Sequence, residues 1–130
     1  MNTILWLLQL LLGVYFFITG LVHFLVPPGL PEPMAWMYEL PSSLHYFSGT
    51  AEILAALGLV LPGLTRIQTR LTPLAALGLV LLMLGAAVWH LARQEYLNIG
   101  MNLILAALAA LVAYGRWRWH PLALAAHRRL

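Results

Sequence analysis

The sequence predicts an all-α fold, an integral membrane four-helix bundle with both termini in the cytoplasm. Three observations carry that expectation. Of the 130 residues, 62% are hydrophobic and 8% charged, and mean hydropathy is +0.86, whereas a soluble domain has about a quarter charged residues. The apolar residues fall into four runs, and each run approaches or exceeds the roughly 20 residues that cross a bilayer core. The arginines fall unevenly between those runs. Four spans put Arg66, Arg70, Arg116, Arg118, Arg128 and Arg129 on one side and Arg93 on the other, so the positive-inside rule places both termini in the cytoplasm.

One transmembrane domain over 1–130 is expected, with spans at about 2–26, 43–61, 71–93 and 96–114. The first run, NTILWLLQLLLGVYFFITGLVHFLV, lacks the basic start and small-residue cleavage site of a signal peptide and ends at Pro27-Pro28. Residues 27–41, PPGLPEPMAWMYELP, are too rich in proline for a long helix. Met34 to Leu40 has room for one or two turns, with Trp36 and Tyr38 at headgroup level. This outside loop is a possible lid over whatever lies between the helices.

The second run follows Pro41. Ser42 or Ser43 can cap its start, and Pro62-Gly63 is expected to stop it. The third holds Pro73 in its first turn, where a proline costs little, and His90 near its far end. The fourth is followed by Arg116-Trp-Arg-Trp119, an interfacial basic–aromatic anchor that opens a basic tail, 115–130, inside the cell. Small residues recur along the helices, among them Gly13, Gly20, Gly49, Ala56, Ala106 and Ala109. In lipid they permit the close backbone approach on which helix association depends.

Composition also excludes several classes. There is no cysteine, which rules out disulfides, Fe–S clusters and thiolate zinc sites made by this chain alone. Net charge is +3, but no basic stripe with interleaved aromatics marks a soluble surface, so nucleic acid is not an expected partner. Membrane lipids are, together with other membrane chains or further copies of this one. No nucleophile–base pair, phosphate-binding glycine loop or dinucleotide fingerprint is present.

The intramembrane polar residues gather at one end. With the expected topology His23, His45, His90, Asn98 and Asn102 all lie near the outer helix ends. At 1.5 Å per residue the histidines sit roughly 3–6 Å from those ends and Glu52 about 14 Å deep. Glu52 and His45, seven residues apart, share a helix face. All six residues are candidate ligand contacts of one outward-opening pocket floored by Glu52, and the inner half is expected to hold nothing comparable. A carboxylate at that depth can carry a proton or bind a polar ligand group. It can equally be neutralised by a histidine or asparagine and lock the bundle. His23, His45 and His90 are also candidate metal ligands, although none pairs at a tight spacing such as HxxxH. Asn98 and Asn102 can bind a ligand carbonyl or simply join helices.

Gly20-Leu-Val-His23-Phe24, followed by a proline-containing loop and then by Gly49-Thr-Ala-Glu52 running into Ala56-Leu-Gly-Leu-Val-Leu-Pro62, resembles the DoxX/DoxD-like family of small four-helix bacterial membrane proteins. The resemblance covers about Gly13 to Leu105. Late in the third span Ala-Ala-Val-Trp89-His90 stands where many members have Pro-x-Asn, which is more like the DoxX-like subgroup. Founding members look like membrane subunits of a thiosulfate–quinone oxidoreductase. The resemblance therefore implies a bacterial inner-membrane accessory or anchor subunit of a redox complex, not a stand-alone enzyme, with quinone as a possible cofactor and His23 and Glu52 as the matching positions. A purely structural subunit and a proton-coupled carrier are the alternatives.

Overall fold

The computed structural model describes residues 1–124, and His127, Arg128 and Arg129 of the basic tail lie outside the described residues. It is all-helical, with four long helices, α1 (Asn2–Leu25), α2 (Ser42–Thr65), α3 (Leu71–Ala92) and α4 (Tyr96–Tyr114). Each is long and apolar enough to cross a membrane. They run up and down as two antiparallel hairpins, α1 with α2 and α3 with α4, joined along α2 and α3. One end of the bundle carries His23, His45 and His90; the other carries Arg66, Arg70 and Arg116. They are called the histidine end and the arginine end below.

The middle of the bundle is a dry apolar core. Leu12 and Phe16 of α1 meet Ala56 and Leu59 of α2, Ala76, Leu79 and Met83 of α3, and Ala106, Ala109 and Val112 of α4. Leu7, Leu11, Phe17, Leu54, Leu81 and Ile104 point outward, the arrangement expected of helices bathed in lipid.

Helices α1 and α2 approach closely at a pair of glycines. A Cβ on Gly49 would lie 2.9 Å from the Gly20 carbonyl oxygen and 3.0 Å from the His23 Cβ, and one on Gly20 would lie 3.0 Å from the Gly49 carbonyl. The helices therefore touch backbone to backbone, which only glycine allows. His23 and Glu52 each stand three residues beyond their glycine, so the contact that joins the helices also joins these side chains.

Helix ends depart from expectation in two places. Neither Ser42 nor Ser43 caps α2 through its side chain; instead Leu44 and His45 donate their N–H groups to the Pro41 carbonyl. Pro62 does not stop α2, which continues to Thr65. A proline at 62 leaves the Gly58 carbonyl without its helical donor. Thr72 of α3 supplies the missing hydrogen, donating from Oγ1 to that oxygen at 2.8 Å. A side chain of a neighbouring helix thus makes the proline tolerable. At the end of α1, Val26 turns left-handed at φ 35° ahead of Pro27-Pro28, which cannot extend the helix.

The connection from α1 to α2 forms a 3₁₀ helix at Glu32–Tyr38. Its Tyr38 hydroxyl donates to the Pro27 carbonyl at 2.8 Å and accepts from the Leu30 N–H at 3.0 Å, closing the loop on itself. Met37 is buried and Trp36 half-buried. The segment covers the histidine end.

Candidate functional site

Beneath that cover, the half-buried Thr19 and three buried side chains form a chain. Thr19 Oγ1 donates to Glu52 Oε2 at 2.9 Å. Glu52 Oε1 faces His23 Nε2 at 3.6 Å, an ion-pair distance rather than a hydrogen bond. His23 Nδ1 and His45 Nδ1 lie 2.9 Å apart, and His45 Nε2 lies 2.7 Å from the Met37 carbonyl oxygen. His23, His45 and Glu52 are each at most 7% exposed.

With both imidazoles neutral, the order of these partners dictates where the hydrogens sit. A carbonyl oxygen only accepts, so His45 Nε2 carries hydrogen and donates to Met37. In neutral His45 the Nδ1 atom is then an acceptor, so His23 Nδ1 donates to it. Neutral His23 is left with a bare Nε2 lone pair turned toward Glu52. Two lone pairs facing one another in a dry site repel. One proton on either partner of the His23–Glu52 pair removes this repulsion.

His90 belongs to a neighbouring cluster. Its Nδ1–H donates to Glu95 Oε1 at 3.2 Å, and Arg93 Nε donates to the same oxygen at 2.7 Å. Arg93 also pairs with Glu39 of the covering loop and stacks on Trp89, 4.6 Å from the ring centre. Desolvation pushes the Glu95 carboxyl up, but the hydrogen bonds from Arg93 and His90 outweigh it and hold the group below its ordinary range. The one arginine at this end is therefore neutralised locally. Trp36 links the two clusters, its ring centre 6.0 Å from that of His23 and 4.9 Å from that of His90.

The six expected contacts are thus divided. His23, His45 and Glu52 come together; His90 joins them only through the Trp36 ring. Asn98 lines a cavity of about 320 Å³ with Trp36, Glu39, Arg93 and Glu95. Asn102 buries its Nδ2 without a hydrogen-bond partner among the described residues. Neither His23 nor Glu52 lines this cavity. The Nδ1 atoms of His23 and His45 are turned on each other and their Nε2 atoms on Glu52 and the Met37 carbonyl, not on a common centre, and among the described residues no group of three metal-binding side chains gathers.

The arginine end holds a second polar cluster, where the sequence was expected to have none. Arg116 is 3% exposed rather than an interfacial anchor. A π-helical turn at Gly115–Trp119 follows α4 and turns the side chain inward. Its Nε donates to Gln9 Oε1 at 2.5 Å, and its Nη1 donates to Asn2 Oδ1 at 2.6 Å and to the His120 carbonyl at 2.9 Å. Gln9 in turn donates from Nε2 to the Leu59 carbonyl at 2.6 Å. One sequence signal was available: Gln9 is an amide in the middle of an apolar run, and such a group needs a partner in lipid.

Four helices long and apolar enough to span a membrane, with Gln9, His23, His45, Glu52 and His90 buried between them, define a small multi-pass integral membrane protein. The chain belongs to the DoxX-like family, whose model matches residues 7–112. Comparison with curated proteins and with solved structures gives no match.

Proposed function

We propose that this chain is an accessory or anchor subunit of a redox complex in the bacterial inner membrane. It would hold a quinone or similar amphipathic ring compound at the histidine end, with Glu52 and His23 as the polar contacts. The observation that carries the reading is the Thr19–Glu52–His23–His45–Met37 chain, in which His23 Nε2 and the Glu52 carboxyl group face one another inside the bundle. A quinone supplies an electron-carrying ring whose oxygens take up and release protons. Its oxygens need a neighbour able to give a hydrogen and take one back, and the His23–Glu52 pair has that chemistry. The aromatic ring of Trp36 offers an apolar face beside it. Because Trp36 and Met37 cover the pair, access requires the 3₁₀ segment to move, and the Arg93–Glu39 pair is the tie that movement would break. The arginine distribution supports both termini facing the cytoplasm, which puts the histidine end outside.

A second reading is a purely structural subunit packed against other membrane chains or copies of itself. It is favoured by the completeness of the same hydrogen-bond chain, which joins α1, α2 and their connecting loop. One experiment separates the two: mass spectrometry of the gently extracted complex, wild type and Glu52→Gln. A quinone present in wild type and depleted in the variant is expected. Stoichiometric partner chains with no small molecule, unchanged by the substitution, would leave the structural reading.

A further inference from the structure

The arginine end contains a cation that this chain's side chains do not balance. Arg116 is buried, and of the five N–H donors of a guanidinium three are used, by Gln9, Asn2 and the His120 carbonyl. Nη2 is buried and finds no partner among the described residues. The acidic side chains of the whole sequence number four, and none is near. Glu32 and Glu39 lie in the covering loop and Glu95 in the α3–α4 turn, while Glu52 pairs with His23 in the opposite half of the bundle. A buried guanidinium held by neutral amides and one carbonyl keeps its full charge, and such a charge in a low-dielectric site is costly unless an anion meets it.

Arg116 lines a cavity of about 300 Å³ that provides room for one. Arg70 and Thr69, from the turn between α2 and α3, line the same cavity, as does Trp117. Arg70 is exposed, whereas Thr69 is 7% exposed. Two arginines, a threonine and a tryptophan therefore meet at one cavity, at the level where the helices leave the apolar core. That is the level of a phospholipid headgroup. Guanidinium is the side chain best suited to a phosphate, which accepts two parallel N–H bonds from it, and tryptophan favours the same depth.

We propose that this cavity binds the phosphate of an anionic phospholipid headgroup, with Arg116 Nη2 and Arg70 as the charged contacts. The acyl chains would then run along the outward apolar faces of α3 and α4. Gln9 and Asn2 orient the guanidinium so that Nη2 remains for the lipid.

The test is native mass spectrometry of the full chain, released from nanodiscs of equal phosphatidylglycerol and phosphatidylcholine. Wild type should retain about one phosphatidylglycerol in preference to phosphatidylcholine. Arg70→Gln, at an exposed position outside the packed core, should weaken that preference about fivefold, the worth of one interfacial arginine toward an anionic lipid. Arg116→Gln should weaken it further if the variant folds, and Arg70→Gln carries the test if it does not. Equal retention of the two lipids, or no change in Arg70→Gln, would overturn the proposal. So would stabilisation of the detergent-solubilised protein by inorganic phosphate with no phosphatidylglycerol retained, since the source would then be the free anion.

Discussion

The two ends of the bundle solve the same problem differently. At the histidine end a buried carboxylate meets a buried imidazole, the arginine of the α3–α4 turn meets two glutamates, and a backbone carbonyl from the covering loop closes the chain. At the arginine end a buried guanidinium meets amides and a carbonyl, with no acid of this chain's side chains in reach. In the first set the arginine and the buried carboxylate each have a partner within the chain. The second is left with a charge for something else to meet. A balanced set acts chiefly on stability and proton placement, whereas an unbalanced one acts through what it recruits.

The sharpest way to break this comparison is to remove one partner at each end. Glu52→Leu strands His23 and Thr19 in a dry site and should cost about 2–3 kcal/mol of unfolding free energy in a detergent-titration assay. Gly49→Ala attacks the same end sterically. Its Cβ meets the Gly20 carbonyl and the base of His23, neither of which can swing away, so about 2 kcal/mol is expected from overpacking. Thr72→Val, which deprives the Gly58 carbonyl of its substitute donor, should cost about 1 kcal/mol by the same assay. Arg116→Leu should cost less than about 1 kcal/mol in neutral lipid, because the substitution also removes an uncompensated charge. If it costs as much as Glu52→Leu there, the two ends are alike and the contrast fails.

The smallest effect is one of pH. Glu95 lies below its ordinary value of 4.5 through Arg93 and His90 despite desolvation. A carboxyl depressed in the folded state adds stability that is present above its unfolded value and is lost as pH falls through the folded one. The thermal midpoint should therefore fall as pH drops below about 4.5, by an amount worth a few tenths of a kcal/mol for so accessible a group. Glu95→Gln should flatten that slope.

Much of this was legible in the sequence, and the exceptions share a cause. Four spans follow from run lengths, and Glu52 was expected to meet a histidine or an asparagine; that the partner is His23 depends on the Gly20–Gly49 backbone contact, which the structure supplies. His45 follows from its two-turn spacing to Glu52. The extension of α2 through Pro62 did not follow, because the compensating hydroxyl comes from Thr72 on another helix. The Gln9–Arg116 bond joins residues 107 apart and depends on a π turn that no periodicity announces. Nor does a pattern place Trp36 between His23 and His90. Local chemistry is readable from the chain, and the partner supplied by a distant segment is not.

The most direct test of the contrast is the thermal midpoint of wild type, Glu52→Leu and Arg116→Leu, each in phosphatidylcholine and in phosphatidylglycerol nanodiscs. Wild type and Glu52→Leu should both gain on moving to the anionic lipid, because their arginine end is intact, and Arg116→Leu should gain far less. An equal gain for all three would contradict the assignment of the unbalanced charge to Arg116.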